Sequence, residues 1–315
     1  MTMASDMQDQ GVKKEVNDDS LGLESEAREL LPLGDEVTVY SPNSDIRSPF
    51  AMLAGIFGGF IAGRELAWRL FVRNINSLYR QTLLGLFWAF LPPIANTAMW
   101  IFLKSTGAFT MEGTEVDATV YILTGMILWQ AFIDAFQMPL NCLNKNKNML
   151  RKLKFPRESL LAVGFGEVFF NLGIRLLLLI PAFIIFGVPV QTSIWLAPVS
   201  VLMMVLFGIA LGLIIMPVGA LYQDVGRLIS MAIPFWMIIT PIIYVPWLEY
   251  PGNLLNWVNP AAPLLIASRD LLLVGYDSPH LTIGLIFASV TLPLLLLGLV
   301  IYRVSLPVLI ERMQA

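Results

Sequence analysis

Two apolar stretches of this chain carry ionisable and amide side chains at helical spacing, and these residues have the types to do chemistry. Gln130, Asp134, Gln137 and Asn141 recur at steps of four, three and four, and Glu167, Asn171 and Arg175 at steps of four. A helix places each set on one face. An Asp or Arg costs about 2.5–3.5 kcal/mol at the centre of an inserting helix, so Asp134, Glu167 and Arg175 are expected to face each other or a water-filled path rather than lipid. Two readings stay open for them: contacts that hold two helices together, or part of a translocation path. At about 1.5 Å per residue Asp134 and Glu167 share a level, while Arg175 lies roughly 12 Å beyond Glu167. A direct Asp134–Arg175 pair therefore needs tilt or a long reach.

Other chemistry is sparse. The chain has one histidine, His280, and one cysteine, Cys142, so no side-chain cluster supports a transition-metal site. His280 falls in a predicted outer loop and is expected to be solvated; Cys142 reads as a small apolar residue. Gly58–Glu65 spells G-x-x-x-x-G-R-E, close to a phosphate-binding loop, but lacks the Lys and the Ser or Thr that contact phosphate and magnesium. Nor does a Ser, His and Asp set appear. The chain is expected to move or hold something, without catalytic residues, metal ligands or a cofactor of its own.

The elements around these residues are those of a membrane protein. Over 315 residues, 57% are hydrophobic and 14% charged, with a mean hydropathy of +0.71, which lies outside the soluble globular range. Met1–Pro49 holds eleven acids and four bases, a net of −7, and the remainder sixteen bases and twelve acids, a net of +4. Residues 1–49 have the composition of a disordered acidic leader, without the apolar core of a secretory signal, and are expected in the cytoplasm. Residues 50–84 form an interfacial segment: Phe50–Gly63 is apolar but, at fourteen residues, short of the roughly 20 needed to span. Arg64–Leu84 is a basic amphipathic helix with Arg64, Arg69, Arg73 and Arg80 between its apolar positions.

Residues 85–303 then divide into six apolar segments, near 85–103, 119–141, 160–186, 194–221, 228–244 and 282–302. The link between the first two carries Glu112, Glu115 and Asp117 and no Lys or Arg, whereas Asn144–Ser159 carries Lys145, Lys147, Arg151, Lys152, Lys154 and Arg157 against Glu158 alone. Excess Lys and Arg holds a loop on the cytoplasmic side. An even number of crossings keeps both termini there, including a tail at 304–315. From Ile233 to Leu273 prolines recur at 234, 241, 246, 251, 260 and 263 alongside Trp236, Tyr244, Trp247, Tyr250 and Trp257. Broken backbone at membrane depth needs burial in protein or a cavity, so short re-entrant helices on the outer side are expected between the fifth and sixth spans, with the aromatic residues at the interface.

Five stretches in order carry a resemblance: YRQTLLGLFWAFLPP (Tyr79–Pro93), NKNMLRKLKFPRE (Asn146–Glu158), YQDVGRLI (Tyr222–Ile229), TPIIY (Thr240–Tyr244) and WVNPAAPLLIASRDLL (Trp257–Leu272). Together they resemble the membrane subunit of ABC-2 type polysaccharide exporters, over about residues 64–303; the leader and Phe50–Gly63 lie outside it. That resemblance implies an all-α, six-span permease in the bacterial cytoplasmic (inner) membrane, working as a homodimer with two copies of a separate ATP-binding subunit that holds ATP and magnesium. No nucleic acid is implied. It implies a lipid-linked glycan (O antigen, capsule or teichoic acid) as substrate, and a coupling role for the basic loop, with Lys147, Arg151, Lys152, Lys154, Phe155, Pro156 and Arg157. Arg64, Arg69, Arg73 and Arg80 are placed to attract an anionic lipid-pyrophosphate head, or simply to anchor on anionic lipid. Phe87, Trp88, Trp100, Trp129, Phe132, Phe136 and Tyr244 are candidates to guide sugars along a channel. The alternatives are an ABC-2 permease for drugs or small lipophilic molecules, and an integral membrane glycosyltransferase or acyltransferase.

Overall fold

A computed structural model describes residues 49–80, 85–107, 116–152, 157–247, 249 and 252–314. The acidic leader as far as Ser48, and Lys154, Phe155 and Pro156 of the basic loop, lie outside the described residues, as do the side chains of Arg80, Arg151 and Lys152. Every regular element among the described residues is helical. Four helical stretches are long and apolar enough to cross a membrane: Ala118–Lys145, Glu158–Ile185, Ala197–Leu221 and Leu281–Arg312.

In chain order the helices are α1 (Pro49–Ala62), α2 (Arg64–Arg80), α3 (Leu91–Ser105), α4 (Ala118–Lys145), α5 (Lys147–Lys152), α6 (Glu158–Leu176), α7 (Leu179–Ile185), α8 (Ala197–Leu221), α9 (Gln223–Ile239), α10 (Gly252–Val258), α11 (Ala262–Leu273) and α12 (Leu281–Gln314). The first and fifth apolar segments are thus represented by α3, of 15 residues, and α9, of 17, both below the roughly 20 that a straight crossing needs. The last helix runs on through 304–314 without a break, so the expected tail continues α12 instead of forming a separate piece.

The core is built on α4 and α8. α4 begins on Asp117, whose carboxylate accepts a hydrogen bond from the Thr119 amide at 2.7 Å and satisfies one of the orphan N–H groups of the first turn. Most of its length is buried. α8 is apolar all round and packs between α4 and α12, as expected of a fully enclosed helix. A Cβ on Gly208 would lie 3.0 Å from the Phe132 carbonyl, and one on Gly212 would meet the Phe136 carbonyl. Glycine at both positions lets the two backbones touch. Met204, Val205 and Phe207 of α8 are buried in the same core, Phe207 edge-on to Phe287 of α12.

Beyond α9 the chain turns sharply, and side chains supply the bonds that the broken backbone lacks. Trp236 Nε1 donates to Asn259 Oδ1 at 2.8 Å, Asn259 Nδ2 donates to Thr240 Oγ1 at 2.8 Å, and Thr240 Oγ1 donates to the Trp236 carbonyl at 2.8 Å. Trp236 is therefore not an interfacial ring as its neighbourhood suggests. It meets Trp129, Phe132 and Phe136 edge-on at 5.5–5.6 Å between centroids. α11, placed after this turn, is almost wholly buried against α8, α12 and α4.

Candidate functional site

The polar residues of α4 and α6 meet. Arg175 Nη1 donates to Asp134 Oδ2 at 2.5 Å, and Gln130 Nε2 donates to Asp134 Oδ1 at 2.9 Å. The depth argument makes this pair a long reach, and side-chain direction closes the gap. Side chains on a helix lean toward its N-terminus. Because α4 and α6 run antiparallel on either side of the basic loop, Asp134 leans away from the loop while Arg175 leans back toward it.

One level nearer the loop, Glu167 accepts from Asn74 Nδ2 of α2 at 2.7 Å and lies 3.6 Å from Lys145 Nζ. Asn74 was not legible as a site residue, because it falls among the polar positions of an amphipathic helix. Lys145 counts by sequence as part of the basic loop, whereas the structure turns it to a carboxylate on the neighbouring helix. The two charge pairs, with Gln137, Asn141 and Asn171, line a cavity of about 220 Å³ among α2, α4 and α6.

α2 packs on α6 through Ala67 and Leu70, which are buried, and through Phe71 against Gly166 and the Phe170 ring. Its described basic groups stay outside: Arg69 pairs with Glu65 at 2.6 Å, both exposed, and Arg73 donates to Asn74 Oδ1 at 3.2 Å. Arg64 is exposed as well. The basic loop leaves α4 through Lys147 of α5 and returns at Arg157. The Arg157 carbonyl accepts from Tyr302 Oη of α12 at 3.0 Å, and Cys142 Sγ donates to the Leu160 carbonyl at 2.9 Å. The base of the loop is thereby bonded to α4 and α12 as well as to α6.

The candidate channel aromatics do not form one group. Trp129, Phe132 and Phe136 are buried around Trp236. Phe87 and Trp88 are half exposed beside α3, Trp100 is half-buried, and the Tyr244 ring lies tilted against Trp247 at 5.0 Å between centroids.

At the opposite end of the bundle lies a centre that sequence reasoning missed. Arg269 of α11 is fully buried, with its guanidinium 3.9 Å above the Tyr121 ring and Nη1 donating to the Pro241 carbonyl at 2.7 Å. Asp270 is buried beside it and accepts from Ser278 Oγ at 2.6 Å. His280, expected in solvent, is 8% exposed. Burial holds its imidazole below the ordinary value of 6.5, against the opposing pull of Asp270, with Arg269 adding to the depression. The signal for this centre was an adjacent Arg and Asp inside an otherwise apolar twelve-residue stretch. Among the described residues no group of His, Cys, Asp and Glu is arranged to hold a metal ion.

Comparison with known proteins adds the kin of this arrangement. The O-antigen export system permease protein RfbA of Klebsiella pneumoniae is 23% identical over 211 residues, 64% of this chain and 78% of that protein. A protein of the same name from Myxococcus xanthus is 24% identical over 185 residues, 58% of this chain and 68% of its own. The polysialic acid transport protein KpsM of Escherichia coli is 23% identical over 248 residues, covering 74% and 92%. The sequence profile of ABC-2 type transporters matches residues 65–273, a span that runs from α2 through the polar seam to the end of α11, and the chain belongs to that family.

Proposed function

We propose that the chain is the permease subunit of an ABC transporter that exports a lipid-linked polysaccharide across the cytoplasmic membrane, driven by ATP hydrolysis on a separate subunit. Two copies of the chain and two ATP-binding subunits make the working unit. In this reading α3 and α9 are the first and fifth of six spans, α10 and α11 are re-entrant on the outer side, and both termini lie in the cytoplasm. The substrate class is supported by relatives named for O-antigen and polysialic acid export.

The observation that carries the mechanism is the rooting of the basic loop. Its two ends continue into α4 and α6, the helices joined by the Asp134–Arg175 and Lys145–Glu167 pairs, and its base is tied to α12 by Tyr302. A push on such a loop reaches three helices through short, directional bonds. The ATP-binding subunit, with its nucleotide and magnesium, is the source of that push, and the loop is its docking element. The arginines of α2 stand at the same end, where their charge attracts an anionic lipid head, although Arg69 is already paired with Glu65.

Lys152→Glu combined with Lys154→Glu tests this. The double variant is expected to insert normally yet lose most of its export and most of the ATPase stimulation that the permease gives its partner in proteoliposomes. Export at the unaltered rate from a correctly inserted double variant would overturn the coupling role.

A further inference from the structure

We infer that the cleft between α4, α8 and α9 is a subsite for an uncharged, hydroxyl-rich sugar residue of the exported chain, separate from any site for its anionic lipid head; this rests on the polysaccharide-export reading above. The cleft has a volume of about 600 Å³, inside the roughly 300–1,000 Å³ range of small-ligand sites. Gln137, Asn141 and Asn144 of α4 line it, facing Gln223 of α9. Among the described residues none of these four amides hydrogen-bonds another protein group. Each offers one carbonyl acceptor and two N–H donors. Gln137 is half-buried and the other three are exposed, so their donors and acceptors are open to water or to a ligand that both donates and accepts.

The rest of the lining narrows the ligand class. Leu140, Ile215, Met216 and Met231 form an apolar wall, suited to the C–H face of a pyranose. The one cation of the cleft, Arg227, is exposed and already paired with Asp224 at 3.2 Å. A pyrophosphate would be held by unpaired Arg or Lys, so the near-neutral charge here selects against it. Gly226 marks the approach: a Cβ there would meet only Leu140 Cδ2, at 3.7 Å, an ordinary contact. A Cβ at 226 fits without displacing protein, and a larger side chain there extends from a residue that lines the cleft. Gln223 and Gly226 belong to the YQDVGRLI stretch, which thereby gains a role beyond linking two helices.

The test uses the complex of the full chain with its ATP-binding partner in lipid nanodiscs and two probes. One is the neutral oligosaccharide freed by mild acid from the lipid-linked glycan of the native cells; the other is a polyisoprenyl pyrophosphate bearing no sugar. Gly226→Leu, and separately Asn144→Leu with Gln223→Leu, are expected to weaken oligosaccharide binding at least tenfold while leaving pyrophosphate-lipid binding unchanged. That second binding also reports that each variant is folded, and the exposed Asn144 and Gln223 positions carry the test if leucine at 226 is not tolerated. Unaltered oligosaccharide affinity in the folded variants, or a loss confined to the pyrophosphate lipid, overturns the subsite. Should the unaltered complex fail to export the glycan at all, the export reading falls instead, which the wild-type assay reads independently of the variants.

Discussion

Arg175 and Asp134 are the residues whose replacement separates a structural contact from a functional one. Their side chains are only 13% and 22% exposed, and a charge left without its partner in such a place is strongly destabilising, by about 3–5 kcal/mol where burial is complete. Arg175→Gln is therefore expected to reduce folded yield in the membrane, and Asp134→Asn added to it is expected to restore part of that yield, because the second change removes the stranded carboxylate. Normal yield with lost export from Arg175→Gln would sink the view that the pair chiefly holds α4 to α6. His280 gives a pH dependence whose sign follows from its depressed pKa. The folded state takes up its proton less readily than the unfolded chain, so stability is complete above about 6.5 and declines as pH falls below that value. The melting temperature in detergent should drop on acidification through this window, and His280→Asn should flatten the drop. An unchanged slope in that variant would remove His280 as the cause.

At the scale of helices, the approach of α8 to α4 is set by glycine. Leucine at Gly208 would drive atoms into the Phe132 carbonyl, and overpacking of this kind typically costs 1–3 kcal/mol. The same change at Gly58 of α1, where nothing lies within 4 Å, should cost little. A lower melting temperature for Gly208→Leu with Gly58→Leu near the unaltered value checks the assignment; equal effects would mean that helix propensity, not contact, decides. The helices themselves were largely legible, because hydropathy and charge are properties of segments. α2, α4 and α8 fall where periodicity and length put them, the third apolar segment is covered by α6 and α7 together, and α12 starts as expected but runs on past 302. What segment properties do not encode is the direction of a side chain in space. Arg175 reaches Asp134 by leaning along its helix, Lys145 turns from the basic loop to Glu167, and Trp236 sits against Trp129 and Phe136 instead of at an interface. Arg269 escaped notice, and His280 was expected in solvent, for a related reason: their burial is tertiary and has no local period, Arg269 being enclosed by the turn after Thr240 through its bond to the Pro241 carbonyl.

For the molecule as a whole, the apolar surface of α9 is where the copies of the proposed homodimer are expected to meet. None of its residues is buried, and Leu228, Met231 and Phe235 are 65–70% exposed. α7 also shows apolar surface, at Ile180, Ile184 and Ile185, but nothing polar opens beside it and acyl chains cover it without cost. α9 differs because the amide-lined cleft opens along its flank. Acyl chains cannot satisfy amides, and leaving such groups unpaired in hydrocarbon costs several kcal/mol each. The cleft side of α9 therefore faces water or protein, and in the proposed homodimer the second copy packs on the exposed Leu228 and Phe235 while the cleft stays open to water and glycan. Phe235→Cys, in a chain whose Cys142 is replaced by Ser, is expected to give a dimer-sized band on oxidation in native membranes, whereas Ile184→Cys in the same background stays monomeric. The reverse result would move the dimer contact to α7 and overturn the assignment to α9.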